Sequence, residues 1–215
     1  MKAVIFDCDG VLVETEAIYQ EAQHKFLDDL GIIYQPYDYV ENFMGLPESS
    51  QMPMMKSLYG DVFPKDYRQK VIQYCHEQMD IGIELVTGAE DFIKDLRIPF
   101  SVASSSDKNL LDHKMRVVGL HPFFAPHIYS TDLVSRGKPF PDLFLHAAQG
   151  MNINPADITV VEDSPNGVKA ALAAGMKVIG LGAARHCGGR HQEIMRATGA
   201  HDYASSYKEL KAILA

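Results

Sequence analysis

An α/β fold, with a doubly wound parallel sheet interrupted by an inserted block of helices, follows from three features of the sequence. Five short apolar runs have the length and β-branched content of strands buried on both faces. Helical patterns alternate with the later four of them. Between the first run and the second, residues Glu16 to Thr87 read as helix throughout.

Ala3–Phe6 opens the sheet, and the chain leaves it near Val13–Glu16. Helices are expected over Glu16–Leu30, Asp38–Met44, Glu48–Tyr59 and Pro64–Met79, and the chain returns to the sheet near Glu84–Gly88. The alternation then runs helix Glu90–Leu96, strand Phe100–Ala103, helix Asp107–Val118, strand His127–Tyr129, helix Pro141–Gly150, strand Ile158–Val161, helix Pro165–Ala174 and strand Val178–Leu181. The implied division is a discontinuous core, residues 1–15 and 88–215, with a helical cap of residues 16–87. Ligands of open α/β sheets bind beyond the carboxyl ends of the strands, so an insertion leaving from that edge is placed to cover a substrate. Five of the ten methionines, Met44, Met52, Met54, Met55 and Met79, fall in the cap. Packing between its helices explains them better than an adaptable pocket does.

A chain of 215 residues accommodates one substantial domain and a smaller attachment. Although 47% of it is hydrophobic, no stretch nears the roughly 18 apolar residues of a membrane span. The N-terminal apolar run is too short for a signal peptide. A soluble cytoplasmic protein without a membrane partner is expected, either a monomer or a weak homodimer. Lys and Arg number 20 against 28 Asp and Glu, a formal charge of −8 without a basic cluster. A nucleic-acid partner is excluded on that ground. Cys8, Cys75 and Cys187 are scattered, odd in number and outside any CxxC pair, so they form no disulfide framework and fit a reducing compartment.

Four segments at strand ends carry the chemistry. Phe6-Asp7-Cys8-Asp9-Gly10-Val11-Leu12 directly follows the first strand. Two aspartates two residues apart can share one site, one as nucleophile and the other as proton donor or acceptor. Gly10 lets the backbone turn and its N–H groups approach an anion. Val102-Ala103-Ser104-Ser105-Ser106 offers hydroxyls and helix N-terminal N–H groups to a phosphate. Gly137-Lys138-Pro139 fixes a lysine where it can neutralise phosphoryl oxygens and a nucleophilic carboxylate together. Val161-Glu162-Asp163-Ser164-Pro165 closes a buried strand with two carboxylates, hard ligands suited to Mg²⁺, before Ser164 and Pro165 open a helix.

Each segment alone has an ordinary structural explanation. Asp-x-Asp is common in turns, Ser104 can be an N-cap, Lys138 a solvated loop lysine and Glu162-Asp163 an acidic helix cap. All four at one edge of one sheet favour the joint reading.

In that order and wording, Asp7/Asp9, Ser104, Lys138 and Glu162/Asp163 resemble the four motifs of the haloacid dehalogenase superfamily. The likeness is to its branch of β-phosphoglucomutase and sugar-phosphate phosphatases, and it covers nearly the whole chain. It implies a Rossmann-like core with an inserted cap and a small phosphorylated metabolite as substrate. It further implies that Asp7 attacks phosphorus to give an aspartyl-phosphate while Asp9 serves as acid and base. Ser104, Ser105 and Lys138 would then hold the phosphoryl group. Mg²⁺ would be bound by Asp7, the Asp9 carbonyl and Asp163 with help from Glu162. Asp9 argues against dehalogenation, since a departing halide needs no proton. Glu48 and Tyr19 stand where the mutases of the branch carry a cap arginine and histidine, which favours a phosphatase over a mutase. A phospholigand-binding module without catalysis leaves the pair Asp7 and Asp9 without a purpose, and a purely structural subunit leaves the acidic cluster unexplained.

Arg185-His186-Cys187-Gly188-Gly189-Arg190-His191 gathers soft-metal ligands without a second cluster, and a surface loop after the last core strand is expected there. A serine hydrolase fits poorly, because Ser104 lacks the Gly-x-Ser-x-Gly elbow.

Overall fold

A computed structural model describes residues 1–33 and 48–215. The expected helix Asp38–Met44 lies outside the described residues, as does the Gly45-Leu46-Pro47 stretch. Among the described residues six strands form one sheet: β1 (Ala3–Phe6), β2 (Phe100–Ser104), β3 (Ile128–Ser130), β4 (Ile158–Glu162), β5 (Lys177–Leu181) and β6 (Asp202–Ala204). Their order is β3-β2-β1-β4-β5-β6, with every neighbouring pair parallel.

The side-chain alternation of strands explains the two covered faces. Val4 and Phe6 of β1 point to one side, where they meet α4 (Ala89–Asp95), α5 (Lys108–Val117) and α10 (Tyr207–Leu214) through Phe92, Leu111 and Leu210. Ala3 and Ile5 point to the other, which is closed by α7 (Asp142–Met151), α8 (Pro165–Ala173) and α9 (His191–Thr198) through Phe144, Val168 and Met195. Every residue of β1 and β4 is buried, β1 being apolar throughout and β4 apolar but for Thr159 and Glu162. Phe6 anchors its side through edge-on contacts with Phe92, Phe100 and Phe124, at centroid distances of 6.0, 6.4 and 6.2 Å. A short helix, α6 (His121–Phe124), delivers the last of these rings.

The five strands expected from the sequence form within a residue or two of their expected ends, β3 being displaced by one. The sixth was not anticipated, so the loop after β5 does not follow the last core strand. Asp202-Tyr203-Ala204 spans three residues at the sheet edge, and only Ala204 is buried. So short a run carries no readable periodicity.

Between β1 and α4 lie α1 (Glu16–Asp28), α2 (Glu48–Tyr59) and α3 (Tyr67–Ile81). Ala22, Leu27, Met55, Tyr67, Val71, Cys75 and Met79 form an apolar cluster of their own there. Met55 and Met79 are therefore packing residues and Met52 leans on the same cluster, whereas Met54 is exposed. The third helix begins at Tyr67 and not at Pro64, after a turn closed by the Tyr67 N–H on the Pro64 carbonyl. The two connections to this block run side by side: Glu14 N–H donates to the Glu84 carbonyl at 2.9 Å and Val86 N–H to the Leu12 carbonyl at 3.0 Å.

From β1 the chain builds outward through β2 and β3, then returns to lay β4 on the opposite flank of β1. This reversal opens a crevice at the carboxyl ends of β1 and β4. The acidic residues stand there.

Candidate active site

Asp7 follows β1 directly and remains tied to the sheet by its N–H on the Val161 carbonyl, at 2.9 Å. Gly10 turns the chain with φ +73°, and a Cβ there would fall 1.8 Å from Asp163 Oδ2 and 2.7 Å from His186 Cε1. The glycine is thus required both for its left-handed backbone and for the close approach of two side chains.

Lys138 Nζ, fully buried, lies 2.5 Å from Asp7 Oδ1, 2.6 Å from Glu162 Oε1 and 3.1 Å from the Ala103 carbonyl. Three acceptors around one ammonium satisfy its three N–H bonds. Glu162 Oε2 accepts from the Ser164 N–H and hydroxyl, both at 2.9 Å. The loop lysine is therefore a structural strut of the site, and Glu162 is the residue that holds it.

Asp9 belongs to a second ion pair. Its Oδ1 accepts from Lys114 Nζ and from the Thr15 hydroxyl, and its Oδ2 from the hydroxyls of Ser104 and Ser106, at 3.2 and 3.1 Å. Lys114 also donates to the Ser106 hydroxyl at 2.9 Å. Ser104 is not the cap of the following helix. That place is taken by Asp107, whose side chain accepts from the Leu110 N–H. Ser104 instead accepts the Ser106 N–H at 3.1 Å, while the Ser105 hydroxyl oxygen is buried without a hydrogen-bond partner.

Lys114 and Thr15 stand outside the four segments that carry the chemistry in the sequence, and Ser106 closes one of them without a separate role there. One signal pointed to Lys114: it sits three residues after Leu111 and one before Met115, on the apolar face of an amphipathic helix, where a lysine requires a buried partner. Tyr19 of α1 lies beyond it, with Lys114 Nζ 5.9 Å from the ring centroid.

The expectation of a surface loop after β5 fails at His186. Its side chain is wholly buried, with Nε2 3.0 Å from Asp163 Oδ2. His191 Nε2 lies 2.6 Å from the Asp163 carbonyl, and its Nδ1 lies 2.9 Å from the Tyr203 hydroxyl. β6 borders this segment, with the Gly182 N–H donating to the Ala204 carbonyl at 2.8 Å.

The charges explain the ionisation of these groups. Burial pushes the Asp7 carboxyl well above the usual carboxylate range; Lys138 opposes the rise, and Glu162, Asp163 and Asp9 add to it. Burial, then Glu162 and Glu16, raise Asp163. Burial alone would raise Asp9 as well, but Lys114 and the hydroxyls around it hold it below its ordinary value. Asp7, Asp9, Glu162 and Asp163 thus outnumber the two ammonium groups Lys138 and Lys114, and Glu16 adds to the negative potential. A divalent cation would offset that excess.

Asp7, Glu162 and Asp163 each place a carboxylate oxygen within 4.8 Å of the others. Asp163 Oδ2 is buried and accepts no hydrogen bond. Clustered hard oxygen donors with an unsatisfied member suit Mg²⁺. The side chain of Asp9 is not part of this group, being turned to Lys114.

The profile of haloacid dehalogenase-like hydrolases matches residues 4–181. The chain belongs to that family. A phosphorylated carbohydrates phosphatase of Thermotoga maritima is 32% identical over 188 residues, covering 83% of this chain and 84% of the relative. A conserved haloacid dehalogenase-like protein of Agrobacterium tumefaciens superposes with a TM-score of 0.91 at 32% identity, over 100% of this chain and 97% of its own. A HAD family hydrolase of Deinococcus radiodurans, solved with bound phosphate and sodium, gives 0.81 at 32% identity, over 100% and 95%. No helix among the described residues of this haloacid dehalogenase-like hydrolase is long and apolar enough to cross a membrane.

Proposed function

We propose that this chain is a Mg²⁺-dependent phosphatase that hydrolyses a small phosphomonoester, a phosphorylated sugar or sugar acid, through an aspartyl-phosphate on Asp7. The observation that carries the reading is the division of the carboxylates between two buried lysines, Lys138 with Asp7 and Lys114 with Asp9. Lys138 fixes Oδ1 of Asp7 and lowers the cost of keeping it ionised, as a nucleophile must be. Attack of Asp7 on phosphorus forms the acyl phosphate as the ester P–O bond breaks, and a proton from Asp9 goes to the departing alkoxide oxygen. Asp9 then removes a proton from water, whose oxygen displaces Asp7 and releases inorganic phosphate.

Paired with Lys114, Asp9 rests ionised, the form a base requires. The negative charge of an incoming phosphate ester favours its protonated form, the one an acid requires. Ser104, Ser105 and Lys138 are assigned to the phosphoryl oxygens, Ser105 through its unpaired hydroxyl and Lys138 through its charge, its N–H bonds being held by Asp7, Glu162 and the Ala103 carbonyl. Asp7 and Asp163 with the Asp9 carbonyl would hold Mg²⁺, helped by the charge of Glu162, and the ion would supply positive charge for the transferring group. Residues 16–87 act as a cap over the leaving group. The name of the Thermotoga maritima relative supports a carbohydrate leaving group. Tyr19, where a mutase of this branch would carry histidine, supports water over a sugar hydroxyl as the final acceptor.

Phosphate release from a panel of sugar phosphates, with and without Mg²⁺, tests the reading. Release is expected only with Mg²⁺, and Asp7→Asn should lose roughly a thousandfold or more, about 4 kcal/mol of barrier, with its circular dichroism unchanged. Full turnover by pure Asp7→Asn would remove the covalent mechanism.

A further inference from the structure

We propose that Asp163, His186 and Cys187 form a second cation site, one for a thiophilic divalent metal of the zinc class, at the flank of the carboxylate cluster. The three residues come from different places, Asp163 from the end of β4 and His186-Cys187 from the segment between β5 and α9. Each offers a ligand atom within 4.8 Å of the others. His186 Nε2 lies 3.0 Å from Asp163 Oδ2 and 3.2 Å from Cys187 Sγ. Zinc bonds of about 2.0–2.3 Å in a tetrahedron separate neighbouring donors by roughly 3.3–3.7 Å, so both separations are within a small outward adjustment of that geometry.

The second observation concerns satisfaction. Asp163 Oδ2 and His186 Nδ1 are both buried without a hydrogen-bond partner. A buried carboxylate oxygen that receives no proton donor is costly. Asp163 Oδ2, His186 Nε2 and the Cys187 thiol, which carries a proton, converge on a common space. Loss of that proton to solvent on metal entry gives one nitrogen, one sulfur and one oxygen ligand, with water free to complete the tetrahedron. This donor set differs in kind from the all-oxygen cluster of Asp7, Glu162 and Asp163. Asp163 is common to both, so an ion at the softer site draws on a ligand of the harder one. The imidazole reaches this position because residue 10 is glycine, a Cβ at that point falling 2.7 Å from His186 Cε1.

The inference does not depend on phosphatase activity, and an optical measurement tests it. Metal-free full-length protein is titrated with Co²⁺ and its absorption recorded. One equivalent should give a thiolate-to-cobalt charge-transfer band with the visible bands of tetrahedral Co²⁺, both displaced by Zn²⁺. Cys187→Ser and His186→Ala should lose the charge-transfer band. Asp7→Asn, which alters only the oxygen cluster, should keep it. The proposal is overturned by absence of the band in the wild-type protein. Its survival in Cys187→Ser would assign it to Cys8 or Cys75, and its loss in Asp7→Asn would place the ion among the carboxylates; either result also overturns the proposal.

Discussion

Two buried lysines serve two aspartates, and they were not equally visible beforehand. Asp7, Asp9 and Lys138 stand in short stretches whose glycines and prolines announce a fixed backbone. Lys114 stands mid-helix, where sequence separation hides its partner 105 residues away. Glu162, expected as a metal ligand, has one oxygen on Lys138 and the other on Ser164, a role visible only once the loops are assembled. The pairing of Lys114 with Asp9 has a testable consequence. Lys114→Met keeps the length of the side chain and removes its charge, leaving Asp9 buried without a cation. The turnover number should fall on the order of 10²–10⁴-fold, the usual worth of a positioned acid-base group, with KM changed only a few-fold. Without Lys114 the Asp9 carboxyl binds its proton more tightly, so the acidic limb of the turnover-number profile should move to higher pH. An unchanged limb would reduce Lys114 to a packing residue. The variant should also unfold more readily, by about 3–5 kcal/mol, because a buried pair has been broken, and its rates belong below its melting range.

The central strands were legible because burial on both faces demands apolar, β-branched residues, which Val4-Ile5-Phe6 and Ile158-Thr159-Val160-Val161 supply. At the edge that demand lapses, and β6 with its single buried residue left no comparable trace. Helix starts were legible where a side chain closes them, as at Ser164. The loop carrying His186 reads as polar surface by composition, and its inward turn onto Asp163 shows only in the assembled fold. Ser164 joins this level to the site. Its hydroxyl oxygen accepts the Gly167 N–H at 3.0 Å to cap α8, and its hydroxyl proton goes to Glu162 Oε2. Gly167 adds to the constraint, since a Cβ there would fall 1.7 Å from Glu162 Oε1. Ser164→Ala should lower stability by about 0.5–2 kcal/mol, the range for a lost N-cap, read as a lower urea midpoint. Ser164→Thr, which can still cap, should recover most of it. Equal losses in the two variants would show that the hydroxyl contributes neither cap nor support.

At the scale of the molecule, the strand order gathers the acidic residues. Because β4 returns beside β1, Asp7 and Glu162-Asp163 emerge from neighbouring strands, and their repulsion is built into the fold. The inserted helices, with their own apolar cluster, leave from the same edge, so they pack apart from the sheet that carries the acidic residues. The repulsion predicts how stability responds to pH and Mg²⁺. Asp7 and Asp163 have proton affinities raised by burial, so the folded metal-free protein binds protons that the unfolded chain releases near pH 3.9, at about the ordinary aspartate value. Their contribution is therefore present at acid pH and lost as pH rises from that point through the folded-state values. Mg²⁺ requires the ionised forms and should act in the opposite direction, stabilising more as pH increases. At a hundredfold excess over its dissociation constant, Mg²⁺ adds about 2.7 kcal/mol. For a chain of this size that amounts to a rise in Tm of roughly 5–11 °C. The full rise is expected at pH 8, a smaller one at pH 5, and little in Asp7→Asn at either pH. Equal shifts at both pH values would mean that the ion does not meet these carboxylates, and a full shift in Asp7→Asn would remove Asp7 from its ligands.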